Sequence, residues 1–446
     1  MSDAVSPVSG RSGPPGSVAS PEVPAQAGAA WPGSRQPIEA RLREAGLPGL
    51  PRTAWLEVSL DALAHNVRTL RSLLEPGVRL AAVVKADAYG HGLLPVARAF
   101  GAAGVDQLCV ATLDEALAVA ASRPGPPVLL LFQPPLEALP ALAEAGVEVT
   151  VAEEGAIERI AGAVRPAAGT LRVHLEVDSG LGRAGFAPER AAEAARRLAA
   201  VAGVELVGTW THLASADDAE ASERQVARFR RAWEAMAEAG LGRLCRHAAA
   251  TGGLLGRTGP QLEMVRLGLS TYGLLPADFP IAPDARPAAD ALRPAMALYA
   301  RPLRVTSVAP GEGVGYGSRW RAARASRVAT LPVGYGDGWP YASAGRTSAL
   351  VRGRRVPLIG SVAMDAIAAD VTDVPGVGMD DEFVLLGTQG PERIDALELA
   401  RARTTIPWEI VTAMAPRLPR VYDSGGAVQG VRMLAGEFRR EGAGAR

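Results

Sequence analysis

Hydrophobic and polar positions change rhythm along this chain. From Trp55 to about residue 290, apolar runs of strand length alternate with segments of helical period. SLDALAHNVRTLRSLL places Leu60, Leu63, Val67, Leu70 and Leu74 at helical spacing, with Ser59 as the N-cap. VRLAAVV (78–84) reads as a buried strand. TLDEALAVAAS opens on Thr112 with Glu115 three positions on, a capping-box pattern. Further strands are expected at PVLLLF (127–132), VEVTV (147–151), LRVHLEVD (171–178) and VELVGTWTH (204–212). Helical stretches such as PERAAEAARRLAAVAG and SERQVARFRRAWEAMAEAG separate them. Repeated βα units over about 240 residues predict a parallel barrel or a doubly wound sheet. No GxGxxG follows the first strand, which disfavours a dinucleotide-binding sheet.

After about residue 290 the helical rhythm fades. ALYARPLRVTSV, SRVATLPVG, SALVRGRRVPLIG and EFVLLG read as strands between Gly/Pro/Asp turns, with one helix near DALELARAR. A mostly β domain is expected over 291–435, with a tail at 436–446. At the other end, residues 6–35 are rich in Gly, Pro, Ser and Ala, too poor in large apolar side chains to offset their ordering entropy. Residues 1–50 are therefore expected to be a disordered extension.

Composition narrows the function classes. The 446 residues carry 47 basic and 47 acidic side chains and no like-charge block, which argues against nucleic acid or a membrane surface as the main partner. Arginine is abundant and lysine scarce. The two cysteines, Cys109 and Cys245, belong to no CxxC or Cys/His cluster, so no metal is expected, and buried thiols in a reducing compartment are. No run reaches the ~18 apolar residues of a membrane span, and the N-terminus lacks the pattern of a signal peptide. A cytoplasmic protein is expected.

Lys85 stands where the first strand of the repeat ends, and in a βα barrel those ends form the active face. A lysine held among apolar atoms has its charged form disfavoured, which makes its amine a usable nucleophile or base. A lysine that simply leaves the core into a loop fits this stretch equally well.

The stretch KADAYGHG (85–92) resembles the signature of alanine racemases, fold-type III pyridoxal-phosphate enzymes. VHLEVDSGLGRAGF (173–186), THLASADD (211–218), VRLGLSTYGLLP (265–276), GVGYGSRW (313–320), TLPVGYGDGWP (330–340), IGSVAMDAIAADVT (359–372) and RLPRVY (417–422) are similar to that family's motifs in the same order. The resemblance implies an α/β fold class: an N-terminal (β/α)8 TIM-like barrel over 51–290, binding pyridoxal 5'-phosphate, followed by the β domain. It implies interconversion of L- and D-alanine, serving peptidoglycan, by a homodimer. By the same resemblance Lys85 holds the cofactor and acts as one base, while Tyr316, from the partner subunit, is the other. Arg266 faces the pyridine nitrogen, beside His212. Tyr89, Thr251 and the backbone of Gly268 and Leu269 hold the phosphate. Arg183 lies near the phenolic oxygen and the substrate carboxylate. Met364 and Asp365 of the partner subunit stand at the substrate mouth, and Tyr335 lines the entrance.

Three positions depart from the family pattern. Glu176 stands where many members carry a carbamylated lysine, and strand alternation puts His174, Glu176 and Asp178 on one face. Glu176 is expected to supply the anion that orients Arg183. Ala250 replaces an asparagine. Trp408 replaces a tyrosine at the phosphate and offers one N–H donor at a different reach. These departures leave serine or a broader amino-acid range, and a non-catalytic cofactor-binding paralogue, as alternatives to alanine.

Overall fold

The computed structural model describes residues 35–164, 169–276 and 279–440. Eight parallel strands close into a barrel: β2 (Arg79–Val83), β3 (Gln107–Val110), β4 (Val128–Leu130), β5 (Glu148–Val151), β6 (Leu171–Glu176), β7 (Val204–Trp210), β8 (Cys245–His247) and β9 (Met264–Leu267), with β2 pairing β9. Helices between the strands cover the outside, so most of these strands are buried on both faces, as a parallel sheet requires. The signals at the helix starts hold. Ser59 accepts the Ala62 N–H (3.3 Å) at the head of helix α2 (Leu60–Arg71), and Glu115 accepts the Thr112 N–H (3.2 Å).

The second domain is a twelve-stranded sheet. Its central path runs through β1 (Ala54–Ser59), β10 (Met296–Ala300), β18 (Phe383–Gln389) and β20 (Arg420–Ser424). β1 lies in the stretch expected to belong to the barrel, yet it pairs antiparallel with β10 and parallel with β20, joining the second domain. The run ALYARPLRVTSV divides into β10 and β11 (Arg304–Val308) around Pro302, which has no N–H for a ladder. The expected end at residue 435 also moves. β20 continues into β21 (Ala427–Met433) and β22 (Gly436–Arg439), which form the sheet edge.

The expectation of a disordered segment over 1–50 fails for its last part. Residues Ile38–Glu44 form helix α1, whose Ile38 and Leu42 are buried against Trp55, Val421, Val428 and Val431. Two apolar residues at i and i+4 suffice because the sheet supplies the rest of the apolar surface. Arg35 and Arg41 ion-pair with the buried Glu57 of β1 (2.6 and 2.9 Å) and tie this segment to the sheet. Residues 1–34 lie outside the described residues. No helix among the described residues is long and apolar enough to cross a membrane.

Candidate active site

Lys85 leaves the C-terminal end of β2, half-buried in the barrel mouth. The next four residues, Ala86, Asp87, Ala88 and Tyr89, all have left-handed backbones, with φ between 51° and 55°. Such a conformation costs roughly 1–2 kcal/mol for each residue with a Cβ, so the surroundings must impose it. Glu115 accepts the Ala86 N–H (2.6 Å). Asp87 accepts the Leu93 N–H (2.8 Å) and both prongs of the Arg432 guanidinium. Arg420 donates to the Gly90 carbonyl (2.9 Å), and the Tyr422 hydroxyl donates to the His91 carbonyl (3.1 Å). Burial, then the nearby positive charge of Arg183, lowers the Lys85 pKa, with Glu115 and Cys109 opposing.

Lys85 is the one lysine in the chain, among 47 basic residues. Wherever a plain positive charge suffices, this sequence uses arginine. The exception falls at the mouth of the barrel, where a guanidinium, charged at every accessible pH, cannot serve as an amine nucleophile. The bland reading of Lys85, a residue merely leaving the core, does not explain that choice.

The neighbouring wall of the mouth is built by Arg266 on β9, the strand paired with β2. Its guanidinium is buried, lies over the Trp210 ring (4.7 Å), and donates to the Thr211 carbonyl (2.8 Å). It also meets His247 Nδ1 (2.5 Å) and approaches His212 Nδ1 (3.5 Å). Burial brings the Arg266 pKa down to about 10, which leaves it protonated at neutral pH. Burial and then the Arg266 charge push His212 down to about 3, so its imidazole is neutral there.

Tyr89, Gly268, Leu269 and Thr251 come together. A Cβ on Gly268 would stand 2.6 Å from the Tyr89 hydroxyl, so only glycine fits there. A helical turn, Leu269–Tyr272, opens immediately after it, and the first N–H groups of such a turn have no intrahelical acceptor. Thr251 shares a hydrogen bond with Ser270 (2.9 Å). Burial raises the Tyr89 pKa to about 12, which keeps its hydroxyl a donor at neutral pH. These groups form a cradle of neutral donors suited to an anion. The helix Pro407–Thr412, which carries Trp408, packs on the Lys85 turn, where a Cβ on Gly90 would lie 2.1 Å from the Val411 carbonyl oxygen.

Glu176 points into the barrel, as strand alternation predicted, with Oε1 3.5 Å from the Arg183 guanidinium. Its Oε2 is buried without a hydrogen-bond partner, and burial raises its pKa despite the Arg183 charge. Arg183 itself is partly exposed and lies over Phe132.

The remaining predicted residues sit elsewhere. Tyr316, Tyr335 and Met364 lie on an exposed face of the β domain, 76%, 46% and 52% accessible. One loop gathers them: Ser361 donates to the Tyr316 carbonyl (2.9 Å), Tyr335 N–H to the Ala363 carbonyl (3.0 Å), and Gly336 N–H to the Met364 carbonyl (2.9 Å). Asp365 is held by Arg417, which is anchored with Arg52 on the buried Asp337.

The match to known proteins extends over both domains. Residues 58–276 match the model of the alanine racemase N-terminal domain and residues 295–422 that of the C-terminal domain. The chain is 37% identical over 374 residues to an alanine racemase of Desulfovibrio desulfuricans, covering 83% of this chain and 98% of that one. Among solved structures it resembles the Bacillus anthracis alanine racemase with bound L-Ala-P (TM-score 0.80, 31% identity, 87% of this chain and 99% of that one). It also resembles the Streptomyces coelicolor enzyme (TM-score 0.75, 36% identity, 83% and 98%). The chain belongs to the alanine racemase family.

Behind the mouth of this alanine racemase-family barrel lies a polar chain that inspection of the sequence did not single out. Arg266 contacts His247 Nδ1, His247 Nε2 contacts His174 Nδ1 (2.9 Å), and His174 Nε2 contacts Glu148 (2.9 Å). Both imidazoles have lowered pKa values because they are fully buried. Neutral rings satisfy all three contacts when each donates through Nε2 toward Glu148 and accepts through Nδ1. The carboxylate thus backs the guanidinium across two rings. Gly208 makes room, since a Cβ there would stand 2.2 Å from His174 Nδ1. The alternation that turned His174 inward was the available signal; Glu148 stands on the adjacent strand β5 and His247 two strands away on β8.

Proposed function

We propose that this chain interconverts L- and D-alanine, using pyridoxal 5'-phosphate attached at Lys85 and a proton-transferring group from each of two subunits. The observation that carries the reading is the sole lysine, its amine pKa lowered, held in a barrel mouth beside Arg183 and a cradle of neutral donors. The residues present fit the cofactor: Gly268 leaves the space of one Cβ beside the Tyr89 hydroxyl, and Arg266 offers a buried cation that does not give up its proton at neutral pH. When bound, the cofactor supplies an electron sink that makes the substrate Cα proton labile.

Lys85 Nζ would hold the cofactor, and its amine would take or return the substrate Cα proton on one face. Its lowered pKa leaves more free amine near neutral pH than an ordinary lysine has. The hydroxyl of Tyr316 does the same on the opposite face, and its exposure within one chain fits delivery to a second chain's barrel. The exposed apolar face around Tyr316, Tyr335 and Met364 is the surface that buries on dimerisation. Arg183, steadied by Glu176, binds the substrate carboxylate, with Met364 and Asp365 of the second chain closing the mouth. Tyr89, Thr251 and the Gly268–Leu269 backbone would hold the phosphate, with Trp408 beside it. Arg266 would hold the ring side of the cofactor as a donor that keeps its own proton at neutral pH, which would limit the electron withdrawal the cofactor supplies. His212 stands by as a neutral neighbour.

A cytoplasmic homodimer supplying D-alanine for peptidoglycan completes this reading. The test is racemisation of L-alanine in deuterium oxide by the cofactor-loaded chain, with L-serine in parallel. Appearance of D-alanine labelled at Cα, with kcat/KM for alanine above that for serine, is expected. Cofactor binding at Lys85 without Cα exchange would leave a binding protein instead, and higher kcat/KM for serine would change the substrate.

A further inference from the structure

The turn that carries Lys85 is left-handed through four side-chain-bearing residues, a shape that must be held from outside. From the barrel, Glu115 takes the Ala86 N–H. The β domain supplies a second set of contacts, and the one most centred on the turn is Arg432. This residue stands on β21, and its two terminal guanidinium nitrogens meet the two oxygens of Asp87. Asp87 closes the turn by accepting the Leu93 N–H (2.8 Å), while its backbone carbonyl accepts the Gly92 N–H (2.8 Å). β21 is itself backed by α1, with Ile38 and Leu42 packed beside Val428 and Val431. Both α1 and β21 lie outside the residues matched by the two domain models. The terminal segments therefore form a bracket, and one forked ion pair carries it to the residue next but one to Lys85.

We propose that Arg432 is a positioning residue for Lys85: its fork locks Asp87 and thereby the left-handed turn, keeping the amine in the barrel mouth. A planar two-pronged donor fixes the orientation of a carboxylate, which a point charge does not. With the fork gone, the turn relaxes toward ordinary backbone geometry and the amine swings away from Arg183 toward water. The inference rests on Lys85 being the reacting amine.

The sole lysine makes the effect directly readable. In the 446-residue chain, an amine-directed acylating reagent has two targets, Lys85 and the α-amine of the chain's first residue, and the second serves as internal control. The groups facing Lys85 are Glu115, Arg183, Cys109 and His212, and none is altered in the variants. Arg432→Met is expected to raise the pH midpoint of Lys85 acylation by about one unit, because the amine leaves its buried, positively charged setting. In the cofactor-loaded enzyme, the same variant is expected to lose about tenfold in kcat while KM changes less than about threefold. Arg432→Gln, which keeps an N–H donor in reach of Asp87 and adds no amine, is expected to recover part of both. A Lys85 midpoint at the wild-type value in Arg432→Met and Arg432→Gln overturns the proposal, even if melting temperature or KM changes, since that pattern marks a purely structural residue. If Arg432→Met does not fold, Arg432→Gln alone carries the same criterion. Acylation needs no turnover. A wild-type chain that fails to racemise alanine while its variants still shift the midpoint removes the proposed activity and leaves the bracket standing.

Discussion

In the barrel mouth, Lys85, Arg266, His212 and Glu176 are set by contacts within one chain, and burial shifts the pKa of each. On the β domain, Tyr316, Tyr335 and Met364 have fixed backbones and open side chains. The barrel presents finished electrostatics with one reacting group. The β face presents a phenol with its backbone already placed and nothing of its own chain to act upon. Under the proposed two-chain reading, the contrast teaches that the half of a site left to a second polypeptide is recognisable as well-anchored exposure.

The comparison breaks most readily at Lys85. Lys85→Arg keeps the charge and removes the amine, so kcat is expected to fall by at least about a thousandfold, and borohydride reduction should no longer fix cofactor to the chain. Retained covalent attachment would contradict the assignment, because no second lysine exists to accept it. Next comes the exposed half. Tyr316→Phe removes one hydroxyl and is expected to cost about 10²–10⁴ in racemisation, the range for a lost general acid or base. Cofactor absorbance and melting temperature should stay at wild-type values, and a comparable loss of cofactor binding would place Tyr316 in the other half of the comparison.

A smaller effect is expected at Glu176→Gln. Raised by burial, the Glu176 carboxyl takes up its proton at a pH where a free glutamate is still ionised. Arg183 thus loses its anion as pH falls toward 4.5, and KM for alanine should climb on that acid limb. The glutamine variant should show a KM raised about tenfold at neutral pH and no further climb on acidification. Full activity with an unchanged acid limb would remove Glu176 from the account.

The smallest change lies away from both halves. Asp423 faces a cavity of about 380 Å3 between β1, β10 and β18, near Glu57, and burial lifts its pKa to about 6. Its folded pKa exceeds the unfolded one, so the ionised form at neutral pH opposes folding. Asp423→Asn should raise the melting temperature at pH 7.5, and the gain should shrink below pH 6 and vanish near about pH 4. An equal gain at every pH would assign the effect to packing instead of charge.

The barrel was legible because its two periods alternate cleanly, and the capping residues Ser59 and Thr112 mark real helix starts. Helix α1 was hidden inside a Gly/Pro-rich stretch because only Ile38 and Leu42 signal it, and all their sheet partners but Trp55 are more than 370 residues away, on β20 and β21. The membership of β1 was hidden for a related reason: an apolar run does not say which sheet it joins. Lys85, Arg183, Arg266 and Tyr89 were readable as local motifs. The Glu148–His174–His247 chain and the Arg432–Asp87 fork were not, because each is assembled by pairing across strands that sequence distance does not reveal.

Mixing two inactive chains tests the two-chain site most directly. Lys85→Ala and Tyr316→Ala variants, each inactive alone, are unfolded and refolded together at equal amounts. Half the dimers are then mixed, and each mixed dimer holds one barrel with its own Lys85 facing an intact Tyr316 of the other chain. The account predicts recovery of about a quarter of wild-type activity. No recovery from a mixture shown to contain mixed dimers would place both groups in one chain and contradict it.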